Sequence, residues 1–240
     1  MNMIYEIRRA DISFQKTFRT LAFDVVGPTG IEILRALFNQ ITPRYFIRTE
    51  DMFAHGGTSL SEVRVRLLLF NGSGEIQVTP ERLYLKFNNV RVPEDIAIAR
   101  DVVSLAEEAL RSCLPNTTFR EDVIQLTAHI AVVDKDSKGA AHILDSFSAG
   151  SLATSKLTAA SFGATNVHFG LKSEIENLDQ KWAINFDLTR SLLGPEALFL
   201  TGMATYTEGG TIASIDQKFA HAEKTVNTFL ANLGLQSREK

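Results

Sequence analysis

Two periodicities divide this chain between them. Alternation of apolar and polar side chains, the mark of a strand with one buried face, runs through 3–26, 45–54, 62–70, 75–78, 82–87 and 123–133. It returns around 158–175, 180–190 and 197–207. The first stretch is interrupted by Gln15-Lys16, which predicts one strand or two. Asn71-Gly72-Ser73-Gly74 predicts a hairpin, because asparagine and glycine tolerate the positive φ of tight reverse turns. Spacings of three and four predict helices elsewhere. A short one carries Ile31, Leu34, Leu37, Phe38 and Ile41, with Thr29 and Glu32 at capping-box spacing and Pro43 as its stop. A long one starts at Pro93 and carries Ile96, Ala99, Val103, Ala106, Leu110 and Cys113. Another short helix falls near 138–148, followed by the small-residue loop 148–155. The last spans about 211–234 along Ile212, Ile215, Phe219, Ala222, Val226, Phe229, Leu230 and Leu233, with Gly234 as C-terminal cap.

The order of these elements repeats. Phe23-Asp24-Val25-Val26 leads through a breaker to a helix with Ile33-Leu34-Arg35-Ala36-Leu37; Val132-Val133-Asp134 leads through Lys135-Asp136-Ser137 to Ile143-Leu144-Asp145-Ser146-Phe147. Each block continues with strands and closes on a long helix. The chain therefore reads as an α+β fold built from a duplicated unit: an antiparallel sheet, a short helix and one long covering helix in each copy. The units fall at 1–116 and 117–240, with the seam at Leu114-Pro115-Asn116. The alternative is one fused, pseudo-symmetric domain with the sheets side by side or face to face.

Composition narrows the class. An apolar content of 45% lets 240 residues bury a core without staples. A net charge of −3 argues against a nucleic-acid binder that relies on bulk charge, though not against a local patch. The single cysteine, Cys113, lies on an apolar helix stripe and reads as a small buried hydrophobe; without an intrachain disulfide, the expected compartment is a reducing cytoplasm. Met1–Arg9 holds no apolar stretch of signal-peptide type, and Leu67-Leu68-Leu69-Phe70 is far short of a membrane span. No membrane association is expected.

The phrase Gln77-Val78-Thr79-Pro80-Glu81-Arg82-Leu83-Tyr84-Leu85, the helix after it and the later Ile184-Asn185-Phe186-Asp187 resemble a sporadically distributed, uncharacterised bacterial protein family of about 250 residues. The resemblance covers most of the chain and implies no chemistry.

Candidate chemistry is sparse. His55, His129, His142, His168 and His221 are scattered, and only His129 and His168, with Asp187 beside them, could meet across a sheet. Asp134, Asp136 and Asp145 lack the further oxygen ligands of a calcium loop, and Asp136 reads better as a helix cap. His55-Gly56-Gly57 resembles an oxyanion-hole phrase, without a Gly-x-Ser-x-Gly elbow to supply the nucleophile. No catalytic residue, metal site or cofactor is assigned. The positive charge of the first half is almost wholly arginine. Arg64 and Arg66 share one strand face near Arg48, and Tyr84 and Lys86 share a face on a neighbouring strand. These five are the candidate ligand-binding residues, cations and a ring together. Apolar positions on both faces of 62–70 and 123–133 lead to the expectation of a non-enzymatic binding or assembly protein, engaging a protein partner or, favoured, its own copy as a homodimer. The alternatives are a small-molecule-binding or hydrolytic domain with a pocket between sheet and helix, and a single-stranded nucleic-acid binder using the first-unit arginines. Nucleic acid is the less expected partner.

Overall fold

A computed structural model of the chain describes residues 3–25, 28–56, 62–90, 93–133, 139–140, 143–144, 170–194 and 196–237. Strands β1 (Met3–Phe18), β2 (Met52–His55), β3 (Arg64–Leu69), β4 (Gly74–Val78) and β5 (Arg82–Val90) fill the first half. Strands β6 (Phe119–Val133), β7 (Leu171–Asn177), β8 (Trp182–Arg190), β9 (Ala197–Thr207) and β10 (Leu235–Ser237) fill the second. The long helices among the described residues are α1 (Pro28–Ile41), α2 (Pro93–Cys113) and α3 (Ile215–Asn232).

The described strands make one ten-stranded sheet in an α+β fold rather than two sheets. Their order is β2-β3-β4-β5-β1-β6-β9-β8-β7, with β10 alongside the start of β1. All neighbours are antiparallel except β1 and β10. β1 and β6 form the centre, in register from Ile4↔Val133 to Phe18↔Phe119. Outward from there, the first half runs β1-β5-β4-β3-β2 and the second β6-β9-β8-β7.

Alternation decides which face is buried. Ile12 and Phe14 of β1, Leu83 and Leu85 of β5, Leu67 of β3, Ile184 and Leu188 of β8, and Leu200 of β9 point to the helices and join one core cluster. α1 approaches closely because Gly30 sits where a Cβ would meet the Val25 carbonyl at 2.6 Å and Val65 at 3.5 Å. α3 lies over β8 and β9, its Phe229 stacked on Phe186 at 4.2 Å. Its start is set by a capping box: Gln217 N–H donates to Ser214 Oγ, while the Gln217 side chain accepts from the Ser214 amide. Gly234 follows its last turn at φ +77°, as a C-terminal cap requires.

Four expectations need correction. Of the two alternatives for 3–26, β1 is one strand, continuous through Gln15-Lys16 where Lys16 meets the Glu107 and Asp122 carboxylates, but it ends at Phe18, and Phe23–Val25 is a 3₁₀ turn. The buried stripe of α1 is Gly30, Ile33, Leu34, Leu37 and Ile41; Ile31 is exposed. α3 begins at Ile215, not near 211, and the strand placed at 158–175 is described only from Leu171. The second faces of β3 and β6 are mainly polar, with Arg64, Arg66, Gln125, Thr127 and His129 beside Leu68 and Val123. The loop 148–155, the helix 138–148 apart from residues 139–140 and 143–144, Asp134, Asp136, Asp145, His142 and His168 lie outside the described residues.

Candidate functional site

The face turned away from the helices carries rows of side chains that run straight across the sheet, since directly paired residues share a face. One row reads Phe53, Arg66, Gln77, Tyr84, Gln15, Val123, Thr205, Ala183, Glu176. The next reads Leu68, Glu75, Lys86, Ser13, Gln125, Met203, Asn185, Glu174. Flanking them are His55 with Arg64, Arg82 with Thr17, Glu121 and Thr207, and the row Asp11, Thr127, Thr201, Asp187, Lys172. Every long described helix packs on the other side.

Charge is unevenly divided across this face. β3, β4 and β5 bring Arg64, Arg66, Arg82 and Lys86 against the single carboxylate Glu75. β6, β7 and β8 bring Glu121, Glu174, Glu176 and Asp187 against the single cation Lys172. One end of the face is basic and the other acidic. Local pairs trim the surplus without removing it: Arg66 Nε donates to Glu75 Oε1 at 2.6 Å, Arg120 pairs Glu121 at 2.6 Å, and Lys172 lies 3.7 Å from Asp187. Burial pushes the Glu75 carboxyl up, but hydrogen bonds from Arg66 and Gln77 outweigh it and hold the group below the ordinary value. Arg82 donates to Gln15 at 2.8 Å and lies 5.7 Å from the Tyr84 ring centre.

Of the five candidate residues, Arg64, Arg66, Tyr84 and Lys86 are thus brought onto one face. Arg48 is not. It precedes β2 in a short 3₁₀ turn, beyond the end of the sheet opposite Arg64, and its guanidinium is held by Asp51 at 3.0 Å. Arg82 belongs to the group and was missed, although its alternation with Tyr84 and Lys86 could have found it.

Two groups on the protein's polar inventory have other partners. His129 Nδ1 lies 2.8 Å from the buried Ser191 hydroxyl, which also accepts from the Leu193 amide at 3.0 Å, and the imidazole packs on Phe199 at 4.9 Å. On the helix side, Lys16 sits between Asp122 and Glu107 at 2.7 and 2.6 Å, and Lys218 donates to Asp122 at 2.6 Å. Side chains of Lys16 and Asp122 are 5% and 3% exposed, so this is a compensated charge cluster inside the core. The Phe119 ring lies 4.7 Å from the Lys16 ammonium. No helix among the described residues is long and apolar enough to cross a membrane.

No protein-family model and no curated protein sequence matches the chain. Among solved structures it is similar to Methanococcus jannaschii TBP, at a TM-score of 0.30 and 9% identity, over 96% of this chain and 98% of that one. At that score the likeness assigns neither a fold nor a partner.

Proposed function

We propose that this chain is a non-enzymatic, cytoplasmic assembly protein, a duplicated scaffold whose sheet face docks on the same face of a second copy. The opposite charge of the two ends of that face carries the reading. A two-fold axis parallel to the strands, through the β1–β6 seam, sets the basic end of one protomer against the acidic end of the other. An isologous contact needs such self-complementarity. Eight inter-strand spacings by four rows give a face of ~40 Å by ~20 Å, on the order of the 800 Å² per partner of a standard interface. Nucleic acid fits less well, because Glu174 and Glu176 would repel phosphates at the acidic end. The duplication is supported by the outward strand orders, with β5 beside β1 and β9 beside β6, and by the equivalent places of α2 after β5 and α3 after β9.

The test is light scattering at micromolar concentration with charge reversal. The wild-type chain is expected as a dimer that weakens with salt, since exposed charge pairs are screened. Arg64→Glu with Lys86→Glu should raise the dimer dissociation constant roughly tenfold or more. Adding Glu174→Lys and Glu176→Lys in the same chain should restore it. A wild-type monomer, or a dimer indifferent to these reversals, would sink the reading; tight binding of a single-stranded oligonucleotide by that monomer would replace it.

A further inference from the structure

Between α3 and the sheet lies a cavity of about 490 Å³, on the face opposite the one discussed above. Its floor crosses four adjacent strands, β1, β6, β9 and β8, where Ala10, Ala128, Gly202 and Ala204 lie among larger residues such as Ile124 and Leu200. Three spacings make that floor ~14 Å wide. Small residues there leave a gap where bulky ones would fill the core. Phe219, whose ring stacks on Phe14 at 6.5 Å, lines the gap, and Val90 and Ile96 wall the side toward α2. It opens where exposed Glu223 and Asn227 of α3 and Gln236 and Ser237 of β10 line it. An aliphatic wall ending in a polar mouth is the lining of a site for a chain with a head group.

The mouth selects the head. Glu223 is the one charged side chain on the wall among the described residues. The carboxyl-terminal turn of α3, with Leu230 and Ala231, borders the same opening, and its carbonyls, which accept from the Leu233 and Gly234 amides, carry the negative end of the helix dipole. Both favour a cation and oppose a carboxylate. We infer that this cavity binds a single-chain amphiphile, its aliphatic tail along the sheet floor and a cationic amine head at Glu223.

Titration calorimetry of the full chain with dodecylamine, dodecanol and laurate, each below its micelle concentration, tests this. Dodecylamine is expected to bind one per chain and laurate roughly tenfold more weakly, as a surface ion pair and a helix terminus together allow. Dodecanol should fall between them. Glu223→Gln, at an exposed position, should bring amine and carboxylate to within a few-fold of each other while the tail still binds. Ala128→Phe should abolish binding of all three. Should that variant fail to fold, Ala231→Trp at the exposed mouth must block entry instead. Saturable binding by none of the probes, or laurate binding as tightly as dodecylamine, overturns the inference.

Discussion

Asp122 concentrates more electrostatic consequence than any other described side chain. Nearly fully buried, it faces both Lys16 and Lys218, and Glu107 approaches Lys16 from α2. Removing Asp122 takes its carboxylate from Lys218, only 11% exposed, and leaves Lys16 with Glu107 alone, so Asp122→Ala should cost about 3–5 kcal/mol in urea unfolding. Lys218→Met should cost less, since Lys16 remains to hold Asp122. Periodicity could not show this cluster. A lysine at an inward strand position looks like an interruption until the carboxylates that meet it, 91 and 106 positions away, are brought beside it by the fold. His221 offers a second test at this scale. Tyr206 gives its one hydroxyl proton to the Lys218 carbonyl, so Nδ1 of His221 is the donor in its 3.1 Å contact with that hydroxyl. Burial first, and then Lys224, hold the imidazole below the usual 6.5. The unfolded chain therefore takes up a proton before the folded one does. That part of the stability is complete above pH 6.5 and is lost as pH falls toward the folded value. Melting temperatures from pH 8 to pH 5 should fall less steeply for His221→Gln than for wild type.

Helix α3 illustrates which elements can be read from a sequence and which details cannot. Its stripe of Ile215, Phe219, Ala222, Val226, Phe229 and Leu230 is buried as the spacing predicts, and Gly234 caps it. Its start was placed about four residues early because Ile212 continues the apolar spacing. What fixes the start is the Ser214–Gln217 capping box, a local signal that apolar spacing overrode. Ser214→Ala should cost about 1 kcal/mol, readable as a lower melting temperature with an unchanged denaturant slope. The same competition explains α1. Ile31 and Ile33 both fit a helical stripe, and only the close seat of Gly30 over Val65 decides that Ile33 faces inward. On the sheet, alternation brought Arg64, Arg66, Tyr84 and Lys86 to one side correctly, because registers that pair inward residues must pair outward ones too. Arg48 was misplaced because nearness in sequence to a strand says nothing of which end of the sheet a preceding turn occupies. The cavity was out of reach, since small residues at inward positions are individually ordinary and their alignment across four strands depends on strand order.

At the scale of the molecule, the β1–β6 seam makes two equal blocks of sequence into one cooperative body. β1 is hydrogen-bonded to β6 over nearly its whole length and to β5 over its second half, and Lys16, Phe14 and Ile12 meet residues from both halves of the chain. Cutting at residue 116 would expose the full edge of β1, a long unpaired strand of the kind that aggregates. It would also leave Lys16 with Glu107 but without Asp122. The full chain should therefore unfold in a single transition, with β1 and β6 amides exchanging slowest and those of the outer strands β2 and β7 fastest. The fragment 1–116 alone should show no cooperative transition and should associate, while co-expression with 117–240 should recover a soluble complex that melts near the intact chain. A fragment that stays monomeric and melts at the temperature of the full protein would mean that each half carries its own core, and the seam would then be an interface between two domains rather than the centre of one.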